Sequence, residues 1–280
     1  MRDNQVSCAV LTLNEEDNIA ECIESAKMAG TSDVVVYDGG STDRTVEIAR
    51  VLGCRAVVVS GSSIAERRSR AITDCRTAFV LFLDADQRLE ILDLNELVER
   101  YFDDPSVAGI QFCLRATEVS NYWERGFSRR HEIITGTPGP RAVIGTPCIF
   151  RVSEVRAVGY DVAISGGSDD TALGHMLRAR GFILLAVPER ASEAVRATFA
   201  KTIRKAYWYG LSDSEFFRLH PDRRRNHAYH VLVRNGVSTP ARTLVREPSL
   251  FPFFQLFGLA RAAGFCAGML DRRDLSSTRS

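Results

Sequence analysis

The chain has 280 residues, 45% hydrophobic and 25% charged, enough for one large α/β domain or one domain with an appendage. Seven cysteines, an odd number with no C-x-x-C pair, exclude a disulfide frame or a zinc site. They read as reduced packing residues of a cytoplasmic protein. The formal net charge is +1, but residues 194–280 carry 15 Lys+Arg against 6 Asp+Glu, while residues 1–193 carry 21 against 29. An acidic body with a basic tail suggests that the tail meets something anionic. The polar start MRDNQVSC, followed by only a short apolar run, is not expected to act as a signal peptide.

In chain order, Val6–Leu13 reads as a first buried strand that breaks into Asn14-Glu15-Glu16-Asp17. A helix through Met28 follows, with Ile19, Cys22, Ile23 and Ala26 on one face. Val34–Tyr37 is a second strand, ending in the turn Asp38-Gly39-Gly40-Ser41-Thr42-Asp43, which caps a helix through Leu52. Ala56–Val59 is a third strand, and Ile64–Thr73 a short helix carrying Arg67, Arg68 and Arg70. The apolar run Ala78–Leu83 is a fourth. This β-α-β-α-β-α-β order implies right-handed crossovers and a parallel sheet. Two of its strand ends, Asp38 and Asp84, then face one crevice beyond the carboxyl ends of the strands.

The fourth strand runs into Asp84-Ala85-Asp86. Two carboxylates one residue apart suit a hard divalent cation that keeps waters and takes further ligands from phosphates. The same three residues also fit a plain strand end with two solvated loop acids. Asp169-Asp170 likewise fit either a helix start with favourable first-turn acids or a catalytic pair held at a helix N-terminus.

The succession TLNEEDNI, VVVYDGGSTDRT, ERRSRAI and FVLFLDADQRLE resembles the inverting family 2 glycosyltransferases of GT-A fold. GTPCIFRVSEVRAVGYD and GGSDDTALGHMLRARGF continue the resemblance, which covers roughly residues 6–220. It implies a Rossmann-like, mostly parallel sheet flanked by helices, with a C-terminal helical extension. It implies a catalytic domain over 1–220, split into a nucleotide-sugar half (1–115) and an acceptor half (116–220), and a basic, apolar helical tail over 221–280. Thr12, Asn14 and Glu16 match residues lining base and ribose, and Asp38 the acid that meets the uracil edge, so a UDP-sugar is the expected donor. Arg68 matches a basic residue near the diphosphate. Asp86 matches the residue that ligates Mg2+ or Mn2+, and Asp84 one reaching ribose or metal-bound water, a second ligand. The cation would stabilise charge on the leaving phosphate. Asp170 matches the general base that takes the proton of the acceptor hydroxyl, with Asp169 supporting it or replacing it.

Some stretches depart from that pattern. Pro188–Arg196 lacks the histidine that many relatives use as a further metal ligand; either Glu193 substitutes for it or the site uses fewer protein ligands. The Q-x-x-R-W signature of processive synthases is missing, and Lys205-Ala-Tyr-Trp-Tyr-Gly210 stands in its region, so a single addition is expected. Residues 116–141 read as an irregular acceptor loop in which Trp123, Arg129, Arg130 and His131 line the site, or His131 is simply a surface residue. His227 and His230, after Arg223-Arg-Arg225, read as a solvated basic face. Leu250–Leu270 is apolar with Arg261 as its one charge and is flanked by Arg242, Arg246, Arg272 and Arg273. Pro252, Gln255 and Arg261 argue against a stable crossing and for peripheral membrane contact through 242–273, or for packing on the protein. The expected acceptor is lipid-linked or a cell-envelope or natural-product glycan, the expected location the cytoplasm or the inner face of the membrane, and no nucleic-acid partner is expected. Two rivals are a nucleotidyltransferase of related fold and a non-catalytic sugar- or lipid-binding module. TLNEED lacks the Gly-rich phosphate loop of the first, and retention of Asp86 and Asp170 speaks against the second.

Overall fold

The computed structural model describes residues 5–91 and 93–271. These form two compact units. One holds the described residues of Met1–Glu118, Ser128–Tyr160 and Asp170–Val195, the other those of Val119–Phe127, Asp161–Asp169 and Arg196–Ser280. The division therefore does not fall at residue 220, and Arg272 and Arg273 lie outside the described residues.

The first unit is a mixed α/β sandwich. It begins β1 (Val6–Thr12), α1 (Ile19–Met28), β2 (Val34–Asp38), α2 (Thr45–Val51), β3 (Arg55–Val58), α3 (Ile64–Asp74), β4 (Phe79–Asp84) and β5 (Gln87–Leu89). It continues α4 (Leu94–Phe102), β6 (Val107–Ala116), α5 (Tyr122–Thr135), β7 (Gly139–Arg141), β8 (Cys148–Arg151), α6 (Val152–Val158), α7 (Asp169–Ala179) and β9 (Ile183–Glu193), with α5 and α7 shared with the second unit. The sheet order is β3-β2-β1-β4-β8-β6-β9-β5, with β7 added on β9. β3, β2, β1 and β4 are parallel, as the crossover rule requires. β8 runs antiparallel to both β4 and β6, and β5 and β7 antiparallel to β9, while β6 and β9 are parallel, so the sheet as a whole is mixed.

β1 and β2 are buried along their whole length, which is why their sequences are mostly apolar runs, with Ser7, Thr12 and Asp38 the polar exceptions. Ile19, Cys22, Ile23 and Ala26 of α1 all enter the core, matching the helical spacing. α3 is started by a capping box: the Ser63 hydroxyl accepts from Glu66 N at 3.1 Å, and the Glu66 carboxylate accepts from Ser63 N at 2.7 Å. This fixes the helix that presents Arg67 and Arg68.

The expected irregular loop at 116–141 contains α5 instead. Asn121 starts it, its Oδ1 accepting from Trp123 N at 2.9 Å and Glu124 N at 3.1 Å. Trp123 and Phe127, one helical turn apart, supply the packing that a polar composition hid: Trp123 meets Phe199 and Phe253, and Phe127 meets Phe253 and Phe257.

The second unit is helical: α8 (Phe199–Leu219), α9 (Arg224–Ala228), a π-helical stretch (Tyr229–Ser238), α10 (Thr239–Arg246) and α11 (Phe251–Leu270). By length and composition Pro248–Leu270 is apolar enough to cross a membrane. Here α11 packs against α8. A Cβ on Gly210 would collide with the Arg261 carbonyl, and one on Gly264 with the Tyr207 carbonyl, so glycine lets the two backbones touch. Arg261, the one charge of α11, reaches Asp213 of α8 through Nε–Oδ2 at 2.6 Å and a second nitrogen–Oδ1 contact at 2.9 Å. Asp213 is 1% exposed and also accepts from Ser168 Oγ at 3.3 Å, with His227 Nε2 at 3.3 Å. Burial alone would push the Asp213 carboxyl up, but Arg261 and His227 hold it at about 2. Burial pushes His230 down to about 4, with Arg261 and Arg234 adding to the effect. His227 is buried as well, so neither histidine is part of a solvated basic face.

Candidate active site

Strand register builds the rim of the site. β1 pairs with β2 so that Thr12 stands beside Asp38, and with β4 so that Leu11 stands beside Asp84. Three adjacent parallel strands therefore end together at Thr12, Asp38 and Asp84, at the carboxyl edge where open α/β sheets take ligands.

The two loops leaving β1 and β2 are stapled to each other. Asn14, whose φ of 54° is left-handed, donates its N–H to Ser41 Oγ at 2.8 Å, and its side-chain oxygen accepts from Thr42 N at 2.9 Å. Glu16 donates its N–H to Asp43 at 3.2 Å and accepts from Arg44 N at 3.1 Å. Both Asn14 and Glu16 are thus partnered with the second loop. Asp38 is fully buried, and its Oδ1 accepts from Gly40 N at 2.9 Å and Ser41 N at 2.8 Å, while Oδ2 accepts from the Ser41 hydroxyl. It organises its own turn, as an Asx turn does. Thr12 is 3% exposed and its hydroxyl has no hydrogen-bond partner, while its carbonyl accepts from Gly39 N at 3.0 Å and from an Arg67 guanidinium nitrogen at 3.1 Å.

Arg67 is the residue that sequence reading passed over in favour of Arg68. Both are buried. Arg67 lies across the end of β2: any Cβ on Gly39 would collide with its guanidinium, which is why the turn carries glycine there. Burial pushes its pKa down from the ordinary value, against the pull of Asp38 and Asp84. Arg68 instead pairs with Asp170 Oδ1. That joins the expected diphosphate residue to the expected base. The adjacency of the two arginines on one helix was legible in the sequence; which carboxylate each meets was not.

Asp84 accepts from Thr146 Oγ1 at 2.6 Å through Oδ2, and its N–H donates to Gln87 Oε1 at 3.1 Å. Gln87 Nε2 reaches Glu193 Oε2 at 3.4 Å, and β5 and β9 pair Gln87 directly with Glu193. The Asp86 carbonyl accepts from Ala194 N at 2.8 Å. Glu193, buried, therefore stands in the neighbourhood of the acid pair, and His131 Nε2 lies 4.0 Å from its Oε2. His131 is buried, not a surface residue. Gln87 follows Asp86 directly in the sequence, whereas Thr146 went unnoticed because it lies 62 residues from Asp84 in the chain and nothing in its local sequence marks it.

The donor set fits a hard cation. Asp84 and Asp86 offer half-buried carboxylate oxygens, and Glu193 offers a third carboxylate nearby. The Cys22 thiol contacts the Asp84 carbonyl at 3.6 Å; burial pushes its pKa well above the ordinary value, and Asp86 and Asp84 push it further, so it offers no thiolate. Asp169 is fully buried, whereas the Asp170 side chain keeps 20% of its surface exposed. A Cβ on Gly145 would stand 3.2 Å from Asp170 Oδ2, and the Gly145 carbonyl accepts from Gln111 Nε2 at 2.9 Å.

This mixed sheet with an acid-bearing carboxyl edge is the GT-A glycosyltransferase architecture. The structure is similar to a mannosyltransferase, PcManGT from Pyrobaculum calidifontis in complex with GDP-Man and Mn2+, with a TM-score of 0.68 at 16% identity, over 96% of this chain and 88% of that one. It is also similar to S. aureus TarS, with a TM-score of 0.55 at 13% identity, over 95% of this chain and 55% of that one. Glycosyltransferase AglJ of Haloferax volcanii is 37% identical over 89 residues, 31% of this chain and 29% of the relative. An uncharacterised glycosyltransferase of Rickettsia typhi is 37% identical over 98 residues, 35% of this chain and 33% of the relative. These alignments take in about a third of the curated relatives' length. The family model for glycosyl transferase family 2 matches residues 7–158, and the chain belongs to that family.

Proposed function

We propose that the protein is a glycosyltransferase that moves one sugar from a nucleotide-diphosphate donor to a hydroxyl of an acceptor, with inversion at the anomeric carbon. The observation that carries this reading is the common edge at which Thr12, Asp38 and Asp84 end three neighbouring strands. The 12–16 and 38–43 loops, stapled through Asn14 and Ser41, form a preorganised cradle for base and ribose. Asp38 shapes that cradle, and the base meets its walls. A UDP-sugar is the first choice of donor. A GDP-sugar is the second, favoured by the GDP-Man bound to the structural neighbour.

Asp86 and Asp84 hold a divalent cation, Mg2+ or Mn2+, with Glu193 as the nearest further carboxylate. The bound cation supplies Lewis-acid stabilisation of the leaving diphosphate. Arg68 meets the diphosphate and in the free protein is held by Asp170. When phosphate draws Arg68 away, Asp170 is released to accept the proton of the acceptor hydroxyl, and Asp169 holds the helix start that positions it. The acceptor is lipid-linked, and the protein works in the cytoplasm with peripheral contact to the membrane through its basic C-terminal region.

Thermal shift with UDP, dTDP, GDP and CDP, each with and without Mn2+, tests this. One nucleotide stabilising the wild type only with metal, and not the Asp86→Asn variant, is the expected result. No shift with any nucleotide overturns the donor site and leaves a sugar- or lipid-binding module.

A further inference from the structure

The segment Arg224–Arg246 of the helical unit is two-sided. Its inner side buries His227, Val231, Pro240 and Thr243. Its outer side is apolar as well. Tyr229 is 60% exposed, Val237 61% and Val245 84%, with Val233 and Ala241 exposed between them. These five recur every four residues. In an α-helix a step of four over-rotates by about 40°; in a π-helix, with its wider turn, it under-rotates. The stretch from Tyr229 to Ser238 is π-helical and the stretch from Thr239 to Arg246 is α-helical, so the two drifts run in opposite senses and keep the five positions on one side of the segment, within roughly a quarter turn.

Arginine borders that line. Arg225 precedes it by one step, and Arg234, Arg242 and Arg246 each directly follow a stripe residue; all four are exposed. No Asp or Glu lies between Arg223 and Arg246. Exposed valines edged by long cationic side chains suit a bilayer interface, where aliphatic groups sink below the headgroups and arginine reaches back to phosphate. A nucleic acid would use the arginines and leave the valines in water. A second copy packed stripe to stripe would set two arginine rows face to face.

We infer that residues 224–246 lie flat on an anionic phospholipid surface, with the Tyr229–Val233–Val237–Ala241–Val245 stripe inserted and Arg225, Arg234, Arg242 and Arg246 at the phosphates. This deepens the membrane part of the proposed function and moves the contact from α11, whose arginine and glycines are spent on α8, to the segment before it. It does not depend on the donor chemistry.

Flotation of the full-length chain with phosphatidylcholine vesicles, with and without phosphatidylglycerol, tests it. Binding to the anionic vesicles alone is expected. Arg234→Gln and Arg242→Gln should each weaken it about fivefold, and Val237→Ser and Val245→Ser each by about tenfold. All four positions are exposed, and unchanged melting of the variants establishes that they fold. Absence of wild-type binding to anionic vesicles overturns the inference, as does binding indifferent to the four substitutions. A wild-type dimer that Val237→Ser with Val245→Ser turns into monomers assigns the stripe to a second copy and also overturns it. Vesicle binding without nucleotide binding would sink the transferase reading and leave this one standing; the reverse result would do the opposite.

Discussion

Each unit holds an arginine paired with an aspartate, and the two aspartates are buried to different degrees. Arg261–Asp213 is bidentate, with Asp213 1% exposed and further contacts from Ser168 and His227. Arg68 also pairs with Asp170, but Asp170 keeps 20% of its side chain exposed. The first pair has no route to exchange partners without leaving a buried charge behind, and so it fastens α8 to α11. The second keeps part of its carboxylate in reach of solvent, as the proposed release of Arg68 to a phosphate requires. Burial, not residue type, separates the two pairs.

The comparison can be broken at either end. Asp170→Asn should lower transfer by about 100- to 10,000-fold, the usual worth of a general base, while nucleotide-dependent melting shifts persist. Loss of folding in that variant would make Arg68–Asp170 a fastener too. Asp213→Ala should cost about 3–5 kcal/mol in denaturant unfolding, because Arg261 is left buried without its partner. A cost below 1 kcal/mol, of the size typical for exposed pairs, would remove the distinction.

Acid sharpens it further. His230 is held neutral in the fold down to about pH 4, while in the unfolded chain it takes up its proton near pH 6.5. The unfolded state therefore binds more protons in that window. Stability is fully present above about 6.5 and falls as pH drops toward 4, by up to about 3 kcal/mol. His230→Gln should flatten that slope in urea unfolding. A loss from Asp213 follows at lower pH, between its ordinary value and about 2. The smallest expected effect belongs to α3, which carries Arg68: Ser63→Ala removes half of its capping box and should cost about 1 kcal/mol, with transfer kinetics nearly unchanged at saturating donor.

Sequence by itself determined the order of β1 to β4 and the acids at their ends. Apolar runs, the 19/22/23/26 spacing and the glycines of the second turn are local signals, each produced by one element meeting one sheet. It also marked Asp84, Asp86, Arg68 and Asp170 as the residues to watch. Only the tertiary structure decided how they are partnered. The polar composition of 116–141 hid a helix, because its apolar residues meet aromatic rings more than seventy residues away in the chain. Thr146 reaches Asp84 across 62 residues of chain, and β5–β9 pairing sets Glu193 beside Gln87, contacts that no local spacing predicts. His227 and Arg261 look like ordinary polar residues until burial gives them Asp213 as a common neighbour. Periodicity records which way a side chain faces within its own element. The partner that waits there is set by long-range packing, and it is packing that buries Asp213 with Arg261 while leaving Asp170 partly exposed beside Arg68.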